Sequence, residues 1–200
     1  MTKNSIEFGF TVEPKGHTPS QIKQIHGGTC VELARTSTQL IPCADAIVSH
    51  GPPVHIFTAD CLPVLLSAND TNGPIAAVHA GWRGARDRVV SNTVAFFGGV
   101  PVRAVLGPCL GPCCFEVKDD LVASFREANH DISHHLTVRS GKRYFDLVQF
   151  VICEQLKGVE VDLSNVECTY CSPRAWPSFR RTRSTDPRIR AWIIKSGQTA

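Results

Sequence analysis

The 200-residue chain lacks the features that mark membrane-spanning, secreted and nucleic-acid-binding proteins. No apolar run reaches the ~18 residues that a membrane-spanning helix needs. Residues 1–16 contain no apolar core of about 7–15 residues, so we expect no secretion signal and a cytoplasmic protein. The net charge is only +3. The one dense basic cluster, Phe179 to Arg183, is too small for the roughly six to ten phosphate contacts of a nucleic-acid interface.

Internal repeats, low-complexity tracts and clear linkers are also missing. The 42% hydrophobic and 20% charged residues are ordinary for a globular protein and exclude disordered and fibrous classes. The length suits one domain, expected over residues 1–200, and is short for two. Nine cysteines, an odd number without a secretion signal, are expected to be thiols. Most should be small buried residues, and some can be metal ligands or nucleophiles.

Apolar runs alternate with turn-forming residues along most of the chain. This pattern predicts strands at Ile6–Val12, within residues 44–50, at Val54–Thr58, Pro63–Ser67, Ile75–Ala80, Val102–Gly107, Val166–Cys171 and Ile189–Ile194. Helical spacing predicts helices at Gly84–Phe97, Lys118–Asn129 and Tyr144–Leu156. Strands and helices that mix without strict alternation predict an α+β fold or a mixed-sheet α/β sandwich.

Three segments each place a good zinc ligand where regular structure gives way to a turn. They are QIHG with His26, TADC with Cys61 and HAGWRG with His79. A catalytic zinc site keeps three nitrogen, sulfur or oxygen ligands from the protein and one open position. Thiolate and imidazole also suit copper and iron, so copper is an alternative metal. These ligands do not form a compact motif, and each has a purely structural explanation when taken alone.

Longer motifs resemble those of a known family. The resemblance runs from about Gln24 to the C-terminus and rests on QIHG, CADAIVS, TADCLPVLL, HAGWRG, LGPCLGPCCFEV, YFDL, ECTYC and SFRRTR, in this order. These motifs resemble the YfiH-type family, also called the laccase-domain or multicopper polyphenol oxidase family. The resemblance implies a layered α/β/β/α sandwich with mixed β-sheets, in a single domain.

The resemblance also implies an activity and a metal. Members of the family are purine nucleoside phosphorylases that bind zinc through residues matching His26, Cys61 and His79. They cleave adenosine, inosine, guanosine and methylthioadenosine with phosphate, and they deaminate adenosine. The expected partners are therefore a purine nucleoside and phosphate, with no nucleic acid and no membrane. We expect a monomer or a homodimer.

Other residues receive roles from their position beside these ligands. Asp60 is a candidate catalytic proton shuttle in deamination, and capping a turn is the alternative. Gln24 lies two residues before His26 and should share its face on an extended segment, so it is a candidate substrate-binding residue in the same cleft. Arg83 and Arg180 are candidate substrate-binding residues, because a guanidinium group binds phosphate through two parallel hydrogen bonds.

The cysteine-rich run from Cys109 to Cys114 is a further feature of the chain. It contains a CxxxCC pattern, which resembles part of a metal site. With no fourth ligand nearby, it predicts a tight turn with buried thiols. Trp82 and Phe115 lie beside glycine-rich turns, where they can stack on a purine or pack in the core.

The chain departs from the family at two places on the substrate side. The part before QIHG is shorter than usual, and Phe8–Gly16 contains no arginine. Near the C-terminus, residues 185–188 read Thr-Asp-Pro-Arg instead of Thr-Gly-Arg. Three alternatives therefore stay open. They are a metal-free cysteine hydrolase or deamidase using Cys61 and His79, a copper phenol oxidase, and a non-catalytic zinc-binding protein.

Overall fold

The central strands of the fold are apolar on both faces. A computed structural model describes residues 5–33, 41–70 and 72–195. All seven residues of Leu62–Ala68 and all six of Ile75–Ala80 are buried. A strand without a polar face must be covered on both sides. These two strands therefore define the middle of a layered structure.

Twelve strands and five α-helices are present among the described residues. The strands are β1 Ile6–Glu13, β2 Cys30–Glu32, β3 Ala46–Ser49, β4 Val54–Thr58, β5 Leu62–Ala68, β6 Ile75–Ala80, β7 Val102–Leu106, β8 Glu116–Val117, β9 Leu136–Arg139, β10 Lys142–Phe145, β11 Glu160–Asp162 and β12 Arg188–Lys195. The helices are α1 Trp82–Arg86, α2 Val89–Ala95, α3 Asp119–Glu127, α4 Leu147–Gln155 and α5 Phe179–Thr182. No helix of the described ranges is both long and apolar enough to cross a membrane.

The strands form three sheets. The largest has six strands in the order β11-β7-β5-β6-β3-β2. Its outer pairs, β11 with β7 and β2 with β3, are parallel, and the inner pairs are antiparallel. Two antiparallel three-stranded sheets have the orders β1-β12-β4 and β8-β10-β9. The predicted α+β class with mixed sheets is confirmed.

Alternation along β5 divides the core into two layers. Leu65 faces the β1-β12-β4 sheet and packs in one cluster with Ile56 and Ile193. Val64 and Leu66 belong to the other cluster, which contains residues of α2, α3 and α4. The large sheet is thus sandwiched between a smaller sheet and a layer of helices.

The predicted helix at Gly84–Phe97 is wrong, because it is two helices. Arg88 adopts a left-handed conformation, with φ of 62°, and separates α1 from α2. The carbonyl of Asp87 at this break packs against Gly28, where an added Cβ would lie only 2.2 Å from it. Asn92 donates to the carbonyls of both Gly28 and Asp87. The helix therefore breaks where it packs against the loop around Gly28. Helical periodicity cannot reveal this contact, because it is made with a residue far away in the sequence.

Two further boundaries differ from the predictions. The helix predicted at Tyr144–Leu156 is α4, which begins at Leu147. Tyr144 is not helical because it pairs with Thr137 in the β10–β9 hairpin. Asp146 then caps the helix by accepting from the Gln149 N–H at 3.0 Å. The strand predicted at Val166–Cys171 is a turn that makes only an isolated bridge between Cys168 and Cys109.

Candidate metal centre

Strand register brings two of the predicted ligands together. In the antiparallel β5–β6 pair, Leu62 lies opposite Ala80 and Pro63 opposite His79. Cys61 immediately precedes β5, so its side chain meets that of His79 at one end of the pair. His79 is buried, with 3% of its surface exposed. Two paired apolar strands, one beginning just after Cys61 and the other ending just after His79, thus hold both ligands rigidly.

His26 reaches the same place from a separate loop. Its backbone has a φ of 61°, in the left-handed region that few non-glycine residues adopt. Its ring centre lies 4.8 Å from that of His79, edge to face. The ligand atoms of His26, Cys61 and His79 all lie within 4.8 Å of one another. The structure thus brings these three side chains together.

A buried carboxylate, that of Asp45, organises this site. Its Oδ1 accepts from the His26 backbone N–H at 2.9 Å and is 2.7 Å from His79 Nδ1. Its Oδ2 accepts from the N–H groups of Gly27 at 2.7 Å and Ile25 at 3.2 Å. Asp45 therefore stabilises the left-handed turn at His26 and orients the ring of His79. This role of Asp45 is not apparent from the sequence, although the residue lies in the CADAIVS motif beside β3.

The hydrogen bond to Asp45 also fixes which nitrogen of His79 is available. An ionised carboxylate only accepts hydrogen bonds, so Nδ1 carries the proton. Nε2 then points away from Asp45 and would bind a metal ion on losing its own proton, which is the usual arrangement of a metal-binding histidine. Burial alone would raise the pKa of Asp45, yet its bonds with His79 and the backbone of Gly27 lower it. The carboxylate therefore stays ionised.

The electrostatics favour a thiolate at Cys61. Burial raises the pKa of this thiol, but the positive charge on His79 and hydrogen bonds with His26 and His79 lower it to about 6. Burial likewise lowers the pKa of His79, and the Cys61 thiolate and Asp45 raise it to about 9. A thiolate between two imidazoles is a donor set that zinc and copper both accept.

Space for a bound ion depends on Gly81. A Cβ at this position would lie 3.0 Å from Cys61 Sγ and 3.5 Å from His26 Cδ2. Any larger residue would crowd the ligand atoms. The glycine of the HAGWRG segment thus leaves the centre open on the side of α1. Donor chemistry, convergence and free space all fit a single metal ion.

The centre lies in a cleft of about 930 Å³. Its walls are rich in cationic and aromatic side chains. The cations are Lys15, Lys23, Arg83, Arg180, Arg183 and Arg188, and the aromatic residues are Phe57, Trp82, Phe115 and Phe179. Asp60 is the one acidic residue among the described lining residues. Such a cleft suits a ligand that has both an anionic group and a flat ring.

Asp60 lines the cleft next to Cys61 and has both carboxylate oxygens engaged. Oδ1 accepts from the Thr169 hydroxyl at 2.6 Å, and Oδ2 accepts from the Arg180 backbone N–H at 2.6 Å. Its φ of 88° is another left-handed value. Asp60 therefore ties the C-terminal loop to the ligand-bearing turn.

The predicted substrate-binding residues also line the cleft. Gln24 pairs its side-chain amide with the backbone of Phe57, donating at 2.7 Å and accepting at 2.9 Å, which fastens its loop to β4. Arg83 is exposed and stacks on the Trp82 ring at 4.3 Å. Arg180 lies 5.8 Å from the Phe115 ring, and its guanidinium donates weakly to the Glu116 carbonyl at 3.3 and 3.4 Å.

Arg188 also lines the cleft and was not among the residues predicted to bind substrate. Its guanidinium lies 4.2 Å from the centre of the Phe57 ring. Burial lowers its pKa, and its Nε is buried without a hydrogen-bond partner among the described residues. An unsatisfied cationic donor on a cleft wall is a ready binding group for an anion. Arg188 lies in the Thr-Asp-Pro-Arg segment at residues 185–188, which departs from the family motif, so the motif did not indicate this role.

The fold and the site together place this chain in a class of α+β proteins that have a candidate mononuclear metal site in a basic, aromatic-lined cleft. Residues 10–195 match the family described as multi-copper polyphenol oxidoreductase laccase. The chain belongs to this family, and the YfiH-type resemblance is confirmed.

Relatives with curated names support the same assignment. A Xylella fastidiosa (strain 9a5c) protein named purine nucleoside phosphorylase is 37% identical over 194 residues, which cover 88% of this chain and 72% of that protein. Purine nucleoside phosphorylase YfiH of Escherichia coli (strain K12) is 32% identical over 179 residues, covering 85% and 72%.

Solved structures share the fold. The Neisseria meningitidis protein NMB0706 superposes with a TM-score of 0.76 at 30% identity, covering 88% of this chain and 74% of that chain. The Bacillus licheniformis protein YfiH superposes with a TM-score of 0.73, covering 88% and 73%. At 20% identity, this second likeness shows the fold alone.

Proposed function

We propose that the protein is a zinc-dependent purine nucleoside phosphorylase that also deaminates adenosine. The observation that carries the proposal is the position of the ligands His26, Cys61 and His79 in a cleft with six cationic side chains and four aromatic rings. Relatives named purine nucleoside phosphorylase, at 32–37% identity, support the substrate class. Adenosine, inosine, guanosine and methylthioadenosine are the proposed substrates.

The basic wall supports binding of phosphate. Phosphorolysis brings phosphate to the ribose C1′ carbon as the purine leaves, so the site must hold an anion beside the sugar. We assign this role to Arg188 and Arg180, because Arg188 has an unsatisfied buried donor and Arg180 bonds only weakly to a carbonyl. A guanidinium group offers phosphate two parallel hydrogen bonds. Arg83 has a more exposed position at the rim.

The aromatic residues support binding of the purine. Phe179 is 44% exposed, so one face of its ring is available for stacking. Trp82 and Phe57 are covered in part by Arg83 and Arg188, which can hold phosphate while packing on the rings. Purine stacking on an aromatic face favours offset or edge-to-face contact. The cleft volume of about 930 Å³ accommodates a nucleoside together with phosphate.

The metal and Asp60 support the deamination step. When bound, zinc supplies Lewis acidity that lowers the pKa of a coordinated water molecule to about 7. His26, Cys61 and His79 would hold the ion, and Asp45 keeps Nε2 of His79 free for it. Each oxygen of Asp60 accepts one hydrogen bond and retains a lone pair. Asp60 can therefore hold the C-terminal loop and still accept a proton from the cleft.

One specific observation favours a second candidate, the metal-free cysteine hydrolase. Cys61, His79 and Asp45 form a chain of thiolate, imidazole and carboxylate, as a nucleophile, its base and an orienting group would. His26 has no place in that mechanism, whereas metal binding uses it. We therefore favour the metalloenzyme.

The decisive experiment follows the fate of adenosine with and without phosphate. The proposal predicts adenine and ribose 1-phosphate when phosphate is present, and inosine from the deamination reaction. His26→Asn should abolish both activities, because asparagine tolerates the left-handed backbone but removes the imidazole. His50→Asn, an exposed histidine outside the cleft, is the matched control and should keep wild-type rates. An activity that survives chelation and His26→Asn, yet is lost on alkylation of Cys61, would support the cysteine hydrolase instead.

A further inference from the structure

A second cluster of metal-ligating groups lies outside the cleft. Cys113, Cys114, Cys168 and Cys171 have their sulfur atoms within 4.8 Å of one another. Two belong to the turn after β7 and two to the turn before α5. The premise that no further ligand lies near the CxxxCC turn is wrong, because Cys168 and Cys171 lie beside it. Cys113 and Cys171 are also exposed instead of buried.

We propose that these four cysteines bind a structural zinc ion as a tetrathiolate. Structural zinc sites are closed, with four protein ligands in a tetrahedron and Zn–S bonds of about 2.3 Å. Those bonds separate neighbouring sulfurs by about 3.8 Å. The Cys113 and Cys171 sulfurs lie 3.5 Å apart, and the 4.8 Å limit includes the tetrahedral spacing for the others. A multi-iron cluster would need wider spacing, because its inorganic core lies between the thiolates.

The backbone around the cluster is already arranged for thiolates. The Gly111 N–H donates to Cys168 Sγ at 3.4 Å, a hydrogen bond that stabilises sulfur with negative charge. A Cβ on Gly111 would lie 3.2 Å from Cys168 Cβ and 3.4 Å from Cys113 Sγ. Glycine therefore allows the two turns to approach closely enough for all four sulfurs to meet.

Neighbouring contacts hold the two turns in register. The Cys109 N–H donates to the Glu167 carbonyl at 3.0 Å, and the Thr169 N–H donates to the Cys109 carbonyl at 2.8 Å. Arg139 donates to the carbonyls of Pro112 at 2.6 Å and Cys113 at 3.0 Å. Its guanidinium also brings positive charge close to a zinc tetrathiolate, which has a net charge of −2. Such charge pairing stabilises an anionic metal site.

The proposed ion would brace one wall of the cleft. Leu110 and Phe115, from the first turn, line the cleft. Thr169, from the second turn, donates to Asp60 at 2.6 Å, and Asp60 in turn accepts from the backbone of Arg180. A zinc ion joining the two turns would therefore fix the loop that presents Arg180. The inference does not depend on the reaction that the cleft performs.

Metal analysis of protein purified in reducing buffer without added metal tests the proposal. We expect two zinc ions per wild-type chain. His26→Asn should retain one, the double variant Cys113→Ser with Cys171→Ser should retain one, and both changes together should leave none. The control Cys153→Ser, at an exposed cysteine of α4, should retain two. An inactive enzyme that still holds two zinc ions would contradict the proposed function and leave this inference intact.

Two measurements on the wild-type protein keep the test decisive if the double variant fails to fold. Alkylation followed by mass spectrometry should find the four cysteines protected until a chelator is added. Replacement of zinc by cobalt should give the strong visible bands of a tetrahedral cobalt–thiolate centre, and these should persist in His26→Asn. Complete loss of zinc in folded His26→Asn, freely alkylated thiols, a Cys113–Cys171 disulfide under reducing conditions, or iron in place of zinc at the cluster would each overturn the proposal.

Discussion

Replacing Asp45 with asparagine should weaken metal binding while leaving every proposed ligand in place. Asp45 is completely buried and accepts from three backbone N–H groups as well as His79 Nδ1. Asparagine provides only one acceptor oxygen, and its amide group would face two of the four donors. If the amide group faces His79, the ring avoids a clash of two donors by carrying its proton on Nε2. That tautomer has no lone pair on Nε2 for the metal.

The expected losses of zinc affinity and of folding stability in Asp45→Asn follow from these contacts. Loss of a carboxylate that orients a metal-binding histidine costs about tenfold to hundredfold in metal affinity, or about 1.4–2.7 kcal/mol. Two buried donors left without acceptors cost about 1–3 kcal/mol each in folding stability. A domain with about 5–15 kcal/mol of stability tolerates much of that loss. The variant should therefore fold, with a lower unfolding midpoint and weaker zinc binding.

The assay is competition for zinc between the folded protein and a chromophoric chelator, with circular dichroism as the check on folding. Asp162→Asn is the matched control, because Asp162 also accepts several hydrogen bonds, from Ser164 and Arg103, but lies outside the cleft. Its zinc affinity should equal that of the wild-type protein. A folded Asp45→Asn protein that binds zinc within twofold of wild type would refute the reasoning.

Three further predictions concern the loop, the anion site and the core. Gly28→Ala should lower both the unfolding midpoint and the zinc affinity, because its Cβ would lie 2.2 Å from the Asp87 carbonyl and would displace the loop of the first ligand; unchanged zinc affinity would contradict this. Arg188→Gln should raise KM for phosphate about tenfold, the loss of roughly one charge-assisted hydrogen bond, with little change in the unfolding midpoint; an unaltered phosphate KM would remove Arg188 from the anion site. Leu65→Ala should destabilise the protein by about 2–5 kcal/mol in urea unfolding, because its side chain is fully buried between the two sheets; a loss below ~1 kcal/mol would show that the site collapses around the change.

The buried strands were predicted well from the sequence, because an apolar run and the turn residues that flank it are enough to define each of them. The predicted bounds of Val54–Thr58 and Ile75–Ala80 match those of β4 and β6, where apolar runs end at turn residues on both sides. The helix predicted at Gly84–Phe97 was wrong, because the break at Arg88 depends on packing against Gly28, a residue far away in sequence. Short strands such as β8 and β11 were missed because they form by pairing with distant partners.

For the candidate site, the ligands could be identified from short sequence motifs, but their arrangement in space depends on contacts between distant segments. His26, Cys61 and His79 were identified through family motifs, since their spacing alone does not specify a metal site. Their convergence depends on the β5–β6 register and on Asp45. The four-cysteine cluster was missed because its two halves lie far apart in the sequence and meet in the fold beside the isolated bridge between Cys109 and Cys168.

The central claim is that two imidazoles and one thiolate hold a single metal ion in the cleft. Anomalous diffraction, measured on both sides of the zinc absorption edge, tests it most directly. The account predicts a zinc peak about 2.0–2.1 Å from a nitrogen of His26 and of His79 and about 2.3 Å from Cys61 Sγ, with a fourth position free of protein ligands. Density with no anomalous peak among these three side chains, in crystals of protein purified without chelators, would contradict it.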